Sequence, residues 1–153
     1  MLFVYGTLLF AEVLRAVLGR VPAMEAATLP GWRAAALPGR VYPGLVPVAP
    51  APAPGSVTGS APAPVGAPAG AGAGATGQVL SGLTAGEWAI LDDFEGDEYV
   101  RRECTLGDGR TAWAYIWRAP HRVAGHDWDP ARFAAVELPD YVDGCSEWRE
   151  AIS

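Results

Sequence analysis

Two short stretches of this 153-residue chain hold residues whose types and spacing could do chemistry. The first, Leu91 to Arg102, reads LDDFEGDEYVRR. Glu95 falls in it at the expected end of a helix, just before Gly96, where the negative end of the helix dipole disfavours another negative charge. Asp92, Asp93, Asp97 and Glu98 crowd it in sequence, and burial beside Phe94 and Tyr99 would act in the same direction. All of these raise a carboxyl pKa, while Arg101 and Arg102 oppose them. An ordinary carboxylate, with a pKa of about 4.3, is a weak base at neutral pH. A rise of roughly two units, roughly 3 kcal/mol of environmental bias, makes it a competent general acid/base. On charge pattern alone, a solvated acidic helix end is the commoner outcome.

The second stretch is Tyr5-Gly6-Thr7-Leu8. A strand passing through glycine into a helix start presents free backbone N–H groups and the positive end of a dipole, which suit a substrate carboxylate or a developing oxyanion. Gly6 lets a ligand approach the backbone closely. The plainer alternative is a strand-to-helix turn with Thr7 as the N-cap. Other constellations are weaker. His121, His126, Asp127 and Asp129 lack a recognised metal-ligand spacing, and Thr7 has no neighbouring histidine or lysine to make it a nucleophile.

The elements that must position these residues are legible in outline. LFVYG reads as a strand, and Phe10, Val13, Leu14, Val17 and Leu18 follow the helical repeat up to Gly19. LPGWRAAALPGRVYPGLVP, broken by Pro-Gly pairs, suggests short strands and turns. Residues 46–76 form an uncharged Ala/Pro/Gly tract with little to bury, expected to be an inserted extended or disordered loop, with a docked polyproline segment as the alternative. Either GSVTG or GATGQVL could begin the strand after it. The second is preferred, because GQVLSGL runs directly into the capping-box pattern Thr84-Ala85-Gly86-Glu87 and a helix carrying Ile90, Leu91 and Phe94.

YVRRECTL and TAWAYIWR flank GDGR, a hairpin signal. In the second strand Trp113, Tyr115 and Trp117 share one face and Ala112, Ala114 and Ile116 the other, an aromatic stripe that is core or, at Tyr115, pocket lining. DPARFAAVEL predicts a last helix, less defined after Pro139. The elements suggest α+β, with a mostly antiparallel sheet or a small mixed, mostly antiparallel β-barrel and a few flanking helices, in one domain over residues 1–153.

Composition narrows the chemistry. A formal charge of −6 and a pI near 4.8 leave no concentrated basic face for nucleic acid or an anionic membrane, so small molecules and proteins are the expected partners. All eleven basic residues are arginine, which excludes lysine Schiff-base chemistry and the lysine-bearing phosphate loop. Met1 runs directly into apolar sequence without a basic leader, and a cytoplasmic protein is the simplest expectation. Cys104 and Cys145 lack redox or zinc spacing and read as free thiols rather than a disulfide.

VYGTL at the start of the chain, taken with LDDFEGDEYVRR downstream, resembles the γ-glutamylcyclotransferase-like family, most closely its γ-glutamylamine cyclotransferases and plant avirulence-induced proteins. Those proteins carry a Tyr-Gly-Thr/Ser-Leu loop and a later Leu-Asp-x-x-Glu-Gly-x-x-Tyr-x-Arg motif, matched here by Leu91, Asp92, Glu95, Gly96, Tyr99 and Arg101 or Arg102. YPGLVP, GQVLSGL and AWAYIW follow the family's order, and the C-terminal region matches least.

The resemblance implies that Glu95 is the general acid/base and that Tyr5, Gly6, Thr7 and Leu8 bind the γ-glutamyl group of a small-molecule substrate. Tyr99 and Tyr115 complete the candidate substrate-binding set. The substrate's own α-amine would attack, releasing 5-oxoproline and an amine without metal or cofactor. The alternative is a module that keeps the fold and binds a small ligand or a protein without turnover.

Overall fold

The computed structural model describes residues 1–48 and 74–152. A five-stranded sheet runs in the order β2-β5-β1-β7-β6, with β1 Leu2–Val4, β2 Ala23–Leu29, β5 Ala75–Ser81, β6 Tyr99–Thr105 and β7 Thr111–Trp117. Every pairing is antiparallel except β1 with β7, where Leu2 lies opposite Trp113. The remaining strands, β3 Trp32–Ala36 and β4 Pro43–Pro47, pair as a hairpin. Leu45 on β4 joins the buried cluster of Phe3, Tyr5, Val79 and Ile116, so the hairpin closes one side of the sheet into a barrel-like α+β fold.

The period-two alternation of the short central β1 separates two interiors. Leu2 and Val4 face the helices together with Tyr115 and Trp117, while Phe3 and Tyr5 face the hairpin together with Ala112, Ala114 and Ile116. The aromatic and small faces expected of β7 are therefore real, except that Trp113 at the strand's start is exposed, with the Arg101 guanidinium 5.4 Å from its ring centroid.

The helix α1, Ala11–Leu18, buries Val13, Leu14, Val17 and Leu18 and ends at Gly19, whose φ of 86° is the left-handed cap that glycine adopts without strain. The helix α2, Ala85–Glu95, starts on a complete capping box: Thr84 accepts from the Glu87 N–H at 3.1 Å, and the Glu87 side chain accepts from the Thr84 N–H at 3.0 Å. Arg20 bonds Glu87 through two nitrogens, at 2.6 and 2.7 Å, tying the end of α1 to the start of α2. Between β6 and β7, the Leu106 N–H reaches the Arg110 carbonyl at 2.7 Å and Gly109 takes a φ of 93°, the tight turn expected of GDGR.

Three sequence expectations change. Thr7 is not an N-cap: Thr7–Leu9 forms its own 3-10 turn, and Phe10 occupies the position before α1. The tract expected over 46–76 is shorter at both ends, because Val46 and Pro47 pair in β4 and Ala75 and Thr76 pair in β5; residues 49–73 lie outside the described residues. The preferred start of the following strand, GATGQVL, is the one observed. The C-terminal helical run does not fade after Pro139. It passes from an Asp129-capped turn, Pro130–Arg132, through a wider π turn, Phe133–Glu137, into α3, Leu138–Ala151. Pro139 lies in the first turn of α3, where its missing N–H costs no helical hydrogen bond.

Candidate active site

The C-terminus of α2 and the turn after β1 meet over one cavity of about 160 Å³. Its lining includes Tyr5, Gly6, Thr7, Leu8, Glu95, Tyr99 and Tyr115, all seven residues singled out in the sequence. It also includes Tyr42, Pro43, Phe94, Glu98 and Tyr141, which sequence reasoning did not select.

Glu95 is the last residue of α2, and Gly96, at φ 70°, lets the chain turn sharply into the next 3-10 turn, Gly96–Glu98. Glu95 is half-buried as a residue, yet protein surrounds its carboxyl closely enough that desolvation lifts its pKa to about 8. The cause is burial, not the crowd of acids in sequence. Asp92 is turned to Tyr115 and Arg101, Glu98 pairs with Arg40, and Asp93 and Asp97 are exposed. Among the described residues, no side chain donates a hydrogen bond to the Glu95 carboxyl, so this cavity-lining group is uncommitted.

Four tyrosines surround that carboxyl, and its charge helps push each of their pKa values upward after the larger effect of burial: Tyr5, Tyr99, Tyr115 and Tyr141. Three have committed hydroxyl protons. Tyr5 donates to the Tyr115 carbonyl at 2.7 Å, Tyr99 to the Pro43 carbonyl at 2.7 Å, and Tyr115 to Asp92 Oδ1 at 2.7 Å. These bonds fix the walls, since each ties a phenol to backbone or to an anchored carboxylate. Asp92 is thereby a support, held on its other side 3.4 Å from Arg101.

Across the cavity, the 3-10 turn leaves the N–H groups of Thr7 and Leu8 without an acceptor among the described residues, as the first donors of a helical turn must be. Gly6 is required here by packing. A Cβ on it would sit 2.7 Å from Cγ of Pro43 and 2.8 Å from its Cδ, so the turn lies directly on β4. At the rim, Arg40 donates to the Tyr42 hydroxyl at 2.6 Å and pairs with Glu98.

The sequence pattern described as "Gamma-glutamyl cyclotransferase, AIG2-like" matches residues 2–64 and 56–130. The chain belongs to that family. AIG2-like protein C of Arabidopsis thaliana is 30% identical over 155 residues, covering 97% of this chain and 77% of that protein, and AIG2-like protein B is 33% identical over 156 residues with the same coverage. AIG2-like protein D is 33% identical over 99 residues, and that alignment spans about half of its length (51%). Solution structures of two Arabidopsis thaliana proteins share the fold, with TM-scores of 0.59 and 0.60 at 24% and 21% identity. They cover 99% of this chain and 91% and 80% of theirs. The two matched segments of the AIG2-like pattern overlap at residues 56–64, inside the Ala/Pro/Gly tract.

Among the described residues no group of three or more His, Cys, Asp or Glu is placed to hold a metal ion, and no helix is long and apolar enough to cross a membrane. Cys104 and Cys145 are both free; burial pushes the Cys145 thiol up to about 11, which leaves it unreactive as a nucleophile at neutral pH.

Proposed function

We propose that this AIG2-like chain cleaves a γ-glutamyl amide by intramolecular cyclisation, with Glu95 moving the proton. The observation that carries the reading is an uncommitted carboxyl with a pKa of about 8, set across a small cavity from the free N–H groups of the Thr7–Leu8 turn. A general acid/base works best with a pKa near the working pH, which a carboxyl lifted to about 8 satisfies.

In the proposed reaction the substrate's α-amine attacks its own γ-carbonyl carbon. The new C–N bond closes a five-membered lactam, and the old amide C–N bond breaks. Glu95 takes the proton from the attacking nitrogen and returns it to the departing one, so the products are 5-oxoproline and an amine, with no water consumed. The attack is intramolecular, so the protein supplies position rather than a nucleophile, which agrees with a cavity lined, among the described residues, by no lysine, serine or cysteine. The Thr7–Leu8 turn holds the γ-glutamyl carboxylate or the oxygen that gains charge.

Incubation of the purified protein with a panel of γ-glutamyl amino acids and γ-glutamyl amines, assayed for 5-oxoproline, tests the reading. Release from at least one substrate is expected. No release from any of them would leave a binding module that keeps the fold as the better account.

A further inference from the structure

Tyr141 reaches the cavity from α3, beyond residue 130, where the family pattern ends. Its phenol is bonded to the turn that carries the free N–H groups: Thr7 Oγ1 donates to the Tyr141 hydroxyl at 3.3 Å. Its ring is held independently, 5.3 Å from the Phe133 ring in an edge-on contact, and Phe133 is in turn flanked by Phe10 and Trp128 at 5.3 Å each. The π turn at Phe133–Glu137 adds a residue to the helical run just before α3 and so sets which face of α3 meets the cavity.

The four tyrosines around Glu95 differ in where their protons go. Tyr5, Tyr99 and Tyr115 donate to protein acceptors. Tyr141 receives a hydrogen bond from Thr7, and its own O–H has no acceptor among the described residues. A hydroxyl that accepts from a neighbour is polarised into a better donor toward its free side. Burial and the Glu95 charge keep it protonated across the working range, so the donor is always present.

We infer that Tyr141 is a catalytic residue, its hydroxyl donating to the γ-carbonyl oxygen as that oxygen becomes an oxyanion, alongside the N–H groups of the Thr7–Leu8 turn. The inference rests on the cyclisation reading above. No proton is transferred by Tyr141: the hydrogen bond strengthens as charge develops on the oxygen and relaxes when the leaving amine departs with the proton from Glu95. An added donor from a side chain matters here because the 3-10 turn supplies few N–H groups in one direction.

The test is Tyr141→Phe, which keeps the ring and its contact with Phe133 and removes only the hydroxyl. Loss of one oxyanion donor is expected to lower kcat by about 10²-fold to 10³-fold with little change in KM. The limb of the pH profile set by Glu95 is expected to stay in place, and the melting temperature is expected to stay near that of the wild type. A kcat within about twofold of wild type overturns the assignment while leaving cyclisation intact. A loss of kcat accompanied by a moved pH limb or a lowered melting temperature also overturns it, because Tyr141 would then act through Glu95 or through packing. Absence of 5-oxoproline release by the wild type overturns the functional reading and this assignment together.

Discussion

Glu95 differs from the acids around it by where its chain ends, not by what its neighbours are. Four nearby carboxylates have partners or solvent, whereas Glu95 closes a helix over a cavity lined by phenols. Substitution Glu95→Gln keeps shape and polarity but removes the proton exchange, and is expected to reduce 5-oxoproline release by at least 10²-fold in a steady-state assay, the lower end of what general acid/base catalysis contributes. In the wild type, kcat/KM is expected to rise with pH through about 8, because the base form of Glu95 becomes populated only there. A rising limb near pH 4 instead would mean that the reacting carboxylate is a solvated one. The sequence singled out Glu95 through its position before Gly96 and its motif. Of the causes the sequence offered for a raised pKa, burial is the one that acts and the neighbouring acids are not, since charge proximity along a chain says nothing about where side chains point after a helix end. Tyr42 and Tyr141 were not legible, because they arrive from β4's approach and from α3, distant in sequence and outside either motif.

At the scale of elements, the site depends on a few local devices that read plainly from sequence and on one that did not. The capping box at Thr84 starts α2 and so fixes where its last residue falls. Thr84→Ala is expected to cost about 1 kcal/mol, seen as a melting temperature lower by about 3 °C, with turnover at low temperature unchanged because the cap lies at the far end of the helix from Glu95. Gly6 behaves differently. Beside the access for a ligand that the sequence suggests, the structure adds a near contact with the rigid ring of Pro43, whose carbonyl holds the Tyr99 hydroxyl.

Gly6→Ala therefore pushes β4 away from the turn and loosens Tyr99 at once. Both a destabilisation of about 1–3 kcal/mol in denaturant unfolding and a fall in turnover of at least tenfold at temperatures where the variant is folded are expected. Unlike the cap variant, it should not separate stability from activity. The strand β2 left little sequence signal, since AMEAATL has small residues on both faces and neither alternates cleanly. It is placed by its ladder to β5, from Ala23 opposite Ser81 to Leu29 opposite Ala75, a long-range pairing that no local pattern reports.

At the scale of the molecule, the raised pKa of Glu95 is also a statement about folding. In the unfolded chain this carboxyl ionises near pH 4.3, and in the folded protein near 8, so between those values the folded state holds a proton that the unfolded state has lost. The contribution of Glu95 to stability is therefore whole below about pH 4.3, declines as pH rises, and is gone above about 8. Glu87 works in the opposite sense. Its pKa is lowered to about 2 chiefly by the hydrogen bond from Arg20, so its contribution is present above the unfolded value of about 4.3 and is lost as pH falls toward 2. The two windows overlap little, which makes them separable by substitution.

Glu95→Gln is expected to be no more stable than wild type at pH 4.5 and more stable at pH 9. The difference is expected to grow to the order of 2 kcal/mol, less than a unit-for-unit conversion of the shift because the half-buried residue still meets solvent at the cavity. Urea unfolding of both proteins across that range checks it. A difference that is flat with pH would mean that Glu95 titrates normally, and the base needed for cyclisation would then be missing from the site. A difference that opens toward pH 9, in a variant that has also lost turnover, would tie the folding cost and the catalytic group to the same buried proton.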